Sequence, residues 1–425
     1  MKKVVCLILV LILTCGVLFA GGGQNKSSSG GPVEVKLWGD ADKEACHDLI
    51  AAEFNRRNPG IRVTFDNVPS TEDFRDTIKP AINSGQGPDL YNYDTGPTYL
   101  GMMVNSGLVL DLTSYAKKYN WNNRFMAGSL DIASYNGKLY ALPNELEIIG
   151  VYYNKKAFAD LGIVPPKNSY QEFLDICQKF VDKGITPVLM DCLDQWQVLH
   201  FEEVWMTAFA GPQKVQDAIS RKIKWTDPDL ILAIDKLSEF IHSNYVNRQI
   251  NSIGYDDANN MFTAGQYPMR ITGTWMVDRF NKVMGDNLEI FPLPPGKPGI
   301  PYGPSSGFGS CLTGNSKTKH PDEVAAFMDF YFSDFACKVW YENNYIPSVK
   351  GFDYSGIPMI PLFKNVVDVL AKTGMLGTNI DVLVGPRVND ATMNYGQQLI
   401  NGTMNGTRAM ELKQKAHEED LAAGD

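Results

Sequence analysis

Three short runs with strand character open the informative part of the chain: "VEVKLW" (33–38), "IRVTFDNV" (61–68) and "PDLYNYD" (88–94). Between them lie two stretches with helical periodicity. In "DKEACHDLIAAEFNRRNPG" (42–60), Ala45, Leu49, Ile50 and Phe54 share one stripe, and "NPG" ends the pattern. "TEDFRDTIKPAINSGQG" (71–87) is closed by Gly85 and Gly87. This β-α-β-α-β order commits the chain to an α/β fold, a sheet covered by helices.

The rhythm returns further on. "LPNELEIIGVYYNK" (142–155) reads as a buried strand with two acids, Glu145 and Glu147, at its start. Side chains two apart share a face of a strand. "SYQEFLDICQKFVDKG" (169–184) begins on a capping box, Ser169 with Glu172. "ITPVLM" predicts a strand, and "FEEVWMTAFAG" and "PDLILAIDKLSEFIHS" predict amphipathic helices. "DDANNMFTAGQYPMRITGTW" (256–275) predicts a helix, a glycine stop and a strand ending at Trp275. "IFPLPPGKPGIPYGPSSG" (290–307) is too rich in Pro and Gly for regular structure and reads as a loop or crossing segment. "HPDEVAAFMDFYFSDFACKVWYEN" (320–343) reads as one long helix, and a last helix starts near 388.

An apolar content of 44% over 425 residues is ample for two cores. The net charge of −9, with no long Lys/Arg run, argues against nucleic acid as a partner. Lys2 and Lys3 precede the apolar run "VVCLILVLILTCGVLF", and "AGGGQNKSSSGGP" follows. That order predicts an export signal over 1–20 and a flexible leader over 21–32, and so a periplasmic or outer-face protein. Gly21 stands where a lipoprotein box would carry its acylated cysteine; Cys15 is a poor substitute. A lipid anchor is therefore left open. Cys46, Cys177, Cys192, Cys311 and Cys337 form no CxxC, so no zinc site is expected. In an oxidising compartment a Cys177–Cys192 disulfide is an expectation. No metal and no cofactor are expected.

Six stretches, in order, carry a resemblance: "AAEFNRRNPGIRVTF", "INSGQGPDLYNYD", "GLVLDLTSY", "YNGKLYALPNELEIIGVYYNKKAFADLGIVPPKNSYQEF", "MFTAGQYPMRITGTW" and "LINGTMNGTRAM". Together they span residue 33 to about 412. The chain resembles the extracellular solute-binding proteins (family 1) that serve ABC importers, the group that takes maltose-type and other carbohydrates. Asn168 and Ser169 replace a usual Thr-Trp, and Asn405 a usual Pro, all at helix entries. The resemblance implies a two-lobed fold of the type II periplasmic-binding-protein class. It implies lobe one from 33–144 plus 305–345 and lobe two from 145–304 plus 346–425. Hinges are expected near Pro143 to Glu147 and near 301–307. It also implies a carbohydrate ligand between the lobes, ABC permease subunits as membrane partners, and a monomer.

Sugar binding needs aromatic faces for C–H groups and polar groups for hydroxyls. Trp275 ends a strand, where such sheets place ligands, and the resemblance makes it the stacking residue. The candidate set also holds Trp38 ending the first strand and Asp42 on the loop after it, Tyr93 and Asp94 at the end of the third, and Trp196 in a polar loop. The resemblance adds Glu147 as a hydroxyl acceptor, and Arg387 and Asn389 at the final helix. Trp121, Trp205, Trp225 and Trp340 read as structural. Hydrolases are the alternative. Glu145 and Glu147 lie on one side of a strand, whereas a retaining glycosidase flanks its bond with carboxyls about 5–5.5 Å apart. "GPSSG" (303–307) matches G-x-S-x-G, yet its flanks are a Pro-rich segment and a β-like run rather than strand and helix. No P-loop is present. The reading is thus no enzyme, and either an importer's binding subunit or a sensor that presents ligand without transport.

Overall fold

The computed structural model describes residues 31–68, 71–373 and 379–423. The expected export signal and most of the leader lie outside them. Twelve strands follow in chain order: β1 (Val33–Asp40), β2 (Ile61–Val68), β3 (Leu90–Asp94), β4 (Ser134–Tyr135), β5 (Lys138–Leu139), β6 (Ala141–Pro143), β7 (Glu147–Asn154), β8 (Val188–Leu189), β9 (Met269–Gly273), β10 (Leu288–Phe291), β11 (Ser305–Gly307) and β12 (Ser310–Gly314). They build two five-stranded sheets and one small hairpin, β4 with β5.

The first sheet runs β2-β1-β3-β12-β6. β1 is parallel to both β2 and β3, as helical crossovers require. β12 returns antiparallel between β3 and β6. In the second sheet β7 is the centre: β10, β11 and β9 all pair with it antiparallel, and β8 extends the edge beside β9. Alternation along β7 divides its side chains between two cores. Ile149, Val151 and Tyr153 face one, while Ile148 and Tyr152 face the other. A strand buried on both faces reads as a continuous apolar run, which explains "IIGVYY".

Several expectations are corrected. The expected helix over 320–343 is two, Pro321–Tyr331 and Asp334–Glu342, because the Ser333 side chain accepts from the Ala336 amide and starts a new helix. "ITPVLM" supplies only Val188–Leu189 as strand. The C-terminal helix is also two, Pro386–Ile400 and Gly406–Ala423. Ser305–Gly307 pairs with β7, so these residues belong to the second sheet, not to the first lobe as expected. The same strand rules out a nucleophile elbow at Ser305. Cys177 and Cys192 share the core beside β7 as separate buried thiols; all five described cysteines are free. Trp121, Trp205, Trp225 and Trp340 are buried in the cores. No helix among the described residues is long and apolar enough to cross a membrane.

Chain crosses between the sheets at 144–146, between β6 and β7, and at 308–309, between β11 and β12. A third passage lies beside the first, where Leu146 donates to the Ile346 carbonyl at 2.8 Å and Glu145 bridges Pro347. Glu145 does not face solvent. It forms a buried ion pair with Lys43, which closes the turn after β1. Burial alone would lower the lysine pKa; Glu145 overrides that and holds it well above its usual value. The pair fixes the crossing against the first lobe. A second close approach joins Gly96 to Val382. Gly96 has φ +81°, and a Cβ there would lie 1.8 Å from the Val382 carbonyl oxygen.

Two stability measurements check these joints. Gly96→Ala, strained in φ and blocked by backbone, lowers stability by more than about 1 kcal/mol in denaturant titration. Lys43→Met leaves Glu145 buried and unpaired and costs about 3–5 kcal/mol; adding Glu145→Leu recovers most of the loss.

Candidate functional site

A cavity of about 550 Å³ is lined by residues from both sheets and their loops. That volume is within the range of about 300–1,000 Å³ typical of small-molecule sites. It takes shape where strands end and helices begin.

The first lobe contributes the ends of β1 and β3. Asp40 closes β1, and its carboxylate accepts from the Asp42 amide at 3.0 Å, turning the chain into the short helical turn Ala41–Lys43. β3 delivers Asn92, Tyr93 and Asp94. Tyr93 packs edge-on to Phe74 and Tyr91. Arg75 donates from Nε to Asp94 at 2.8 Å, and its guanidinium lies 4.4 Å from the Tyr99 ring centre. Burial opposes the charge on Arg75, but Asp94 more than restores it.

The second lobe supplies an aromatic wall. β9 ends at Gly273, and the Trp275 ring folds back so closely that a Cβ on Gly273 would lie 1.9 Å from it. Only glycine fits there. Trp275 Nε1 donates to the Tyr255 hydroxyl at 2.6 Å. Trp196 packs 4.9 Å from Tyr255, and His200 lies 5.3 and 5.5 Å from Trp196 and Trp275. Behind the wall, Arg270 and Asp191 form an ion pair at 2.6 Å, both sealed from water. Arg270 also lies 5.3 Å from the Tyr255 ring and so braces it. Burial pushes the Tyr255 phenol up to about 12.

Acids form the floor. Glu147, the first residue of β7, lines the cavity, is 6% exposed, and makes no side-chain hydrogen bond among the described residues. Burial drives its carboxyl well above the usual range, and the charge of Glu145 adds to this. Gly309 lets it in, since a Cβ there would lie 2.3 Å from Glu147 Oε2. Asp381 is raised by burial as well, against the opposing pull of His200. Glu203 faces His200 Nδ1 at 3.3 Å and accepts from the Ile380 amide at 2.8 Å. Burial lifts Glu203 to about 6. Donor atoms of His200, Glu203 and Asp381 lie within 4.8 Å of one another, a metal-ligating set by type. The Asn379 amide, turned to donate, bridges Asp381 and Glu203, so hydrogen bonding already accounts for the cluster.

Of the residues singled out from sequence, Asp42, Tyr93, Asp94, Glu147, Trp196 and Trp275 converge on this cavity. Three do not. Trp38 lies on the opposite face of β1 from Leu37 and packs against the first core. Arg387 pairs with Asp420 on the last helix at 3.1 Å. Asn389 is fully buried; it donates to the Asp381 carbonyl at 2.7 Å and to Thr98 Oγ1 at 2.9 Å. It positions the Asp381 segment and does not line the cavity. Sequence reasoning missed Arg75, His200, Tyr255 and Asp381. An Arg on the polar face of a helix, or a Tyr opening one, is unremarkable until folding brings Asp94 and Trp275 beside it.

Comparison with known proteins agrees with this architecture. The family described as bacterial extracellular solute-binding protein matches residues 41–335. A multiple sugar-binding protein of Streptococcus mutans serotype c is 26% identical over 364 residues, 82% of this chain and 83% of its own. A maltotriose-binding protein of Pyrococcus abyssi is 24% identical over 58% of this chain and 50% of its own. Among solved structures, a chitin oligosaccharide binding protein superposes with TM-score 0.79 at 22% identity, covering 92% of this chain and 99% of its own. The maltose/maltodextrin-binding domain from Bdellovibrio bacteriovorus gives 0.71 at 19%, covering 92% and 100%. At these identities the superpositions establish the two-lobed fold. The family match covers more than half of the chain, and this protein belongs to the bacterial extracellular solute-binding proteins.

Proposed function

We propose that the protein is the exported solute-binding subunit of an ABC importer and holds a sugar or oligosaccharide in the cavity between its lobes. The observation that carries this reading is the pairing of an aromatic wall, Trp196, Tyr255 and Trp275, with facing polar groups, Asp94, Arg75 and Glu147. Rings offer flat apolar faces to sugar C–H bonds, and charged groups make the stronger hydrogen bonds to hydroxyls. The names of relatives from Streptococcus mutans and Pyrococcus abyssi support the same ligand class.

The lobes in this reading divide near 144–146, 308–309 and 346, and the ligand favours their closed arrangement by touching both. The closed form then docks on membrane permease subunits, which supply any ATP hydrolysis. The protein acts as a monomer and does no covalent chemistry. Its place is the periplasm or the outer face of the membrane. Glu145 is no partner to Glu147 in hydrolysis, since it does not line the cavity and is neutralised by Lys43, which does.

Titration with a broad panel of neutral and charged mono- and oligosaccharides, read by tryptophan fluorescence and thermal shift, tests the reading. Trp275→Ala weakens the binding found by at least about tenfold, with the unfolding transition retained. A panel without any shift contradicts carbohydrate binding. Wild-type affinity in the variant makes Trp275 a packing residue only.

A further inference from the structure

The charge of the cavity is lopsided. Eight of its lining residues are acids, against three Lys or Arg side chains and one His. The bases are already engaged. Lys43 pairs with Glu145, Arg75 with Asp94 at 2.8 Å, Arg279 with Asp256 at 2.6 Å, and His200 with Glu203 at 3.3 Å. Glu147 and Asp381 have no ion-pair partner among the described residues. Glu147 is the sharper case, because it is almost fully buried and faces the cavity without a hydrogen-bond donor. A buried carboxylate left unpaired is costly unless something entering the site completes it.

We propose that, given the sugar-binding reading on which this rests, the cavity selects an amino sugar, a saccharide whose protonated amine sits against Glu147. Gly309 leaves the carboxylate uncovered, and Trp196 and Trp275 offer rings that attract both sugar C–H faces and a cation. Neutral Asn92, Asn144 and Ser310 remain for hydroxyls. A uronate or sugar phosphate would bring a like charge into the same field and is rejected.

The proton balance follows from the same geometry. Burial and the neighbouring charges of Glu145, Asp381 and Asp94 raise the free Glu147 carboxyl against the opposing pull of Lys43, so protonation competes with ligand. An arriving ammonium reverses that and expels the proton. Affinity for the amino sugar therefore rises with pH through the range in which free Glu147 titrates, and falls again where the amine itself deprotonates. A neutral sugar releases no proton at Glu147.

The test is calorimetric titration of the purified protein with matched pairs: free-amine and N-acetylated mono-, di- and trisaccharides of gluco and galacto configuration, with galacturonate oligomers as the anionic arm. Each is run at mildly acidic pH in two buffers of different ionisation enthalpy. The expected result is a free-amine member binding at least about tenfold tighter than its acetylated partner, with net proton release, and no binding of the uronates. Glu147→Gln, of nearly the same shape, abolishes that preference. Equal or tighter binding of the acetylated member, or a preference that survives Glu147→Gln, overturns the amine assignment while sugar binding stands. Failure of every saccharide contradicts both.

Discussion

Lys43 and Glu145 form an ion pair almost sealed from water, and the geometry of the cleft depends on it. Lys43 closes the turn after β1, and Glu145 lies on the segment that passes from the first sheet to the second. Once the pair forms, the crossing has one position against the first lobe. β7 then starts at the floor of the cavity with Glu147 facing inward. Removing one partner strands a charge in a medium that cannot solvate it, so the crossing is held by the cost of separation as much as by attraction. The two acids that look alike in "ELE" thus have separate duties. One is the internal counter-ion of a joint, and the other is left unpaired in the cavity.

Similar logic organises the walls. The rings that face the cavity are stiffened by groups behind them. Arg270 and Asp191 stand behind Tyr255, and Tyr255 receives the indole N–H of Trp275. Asn389 anchors the Asp381 segment through its backbone carbonyl and reaches Thr98 across to the first lobe. Two glycines leave space that a Cβ would enter: Gly273 makes room for the Trp275 ring, and Gly309 makes room for the Glu147 carboxylate. A wall built this way keeps the aromatic faces of the second lobe in place, which favours affinity by limiting what must be ordered on binding.

Much of the fold was legible because its signals are local. β-α-β-α-β spacing predicts a helix-covered sheet, which the structure builds around β2-β1-β3, and the Pro/Gly-rich stretch over 290–307 falls largely between β10 and β11 as a connecting segment. Strand-end residues such as Asp94 and Trp275 were legible for the same reason, since strand ends face crevices in α/β sheets. The failures are those of tertiary context. Phe330, Tyr331 and Phe332 lead into Ser333 and Asp334, and Phe335 and Ala336 resume the apolar pattern at once, so periodicity could not reveal that Ser333 caps a new helix. Trp38 and Asp42 are four residues apart, yet Trp38 stays within β1 against the first core while Asp42 lies in the turn beyond the strand that lines the cavity. Arg387 and Asn389 sit at a helix start that the fold turns toward Asp420 and Asp381 instead. His200 and Tyr255 gain meaning only from neighbours brought in by distant parts of the chain.

The most direct measurement is a crystal structure of the protein with a saccharide that it binds in solution. The account predicts a sugar ring packed on Trp275, between residues of both lobes, with a polar group of the sugar within hydrogen-bond distance of the Glu147 carboxyl. A saccharide bound elsewhere on the surface, with Trp275 and Glu147 untouched, would contradict it.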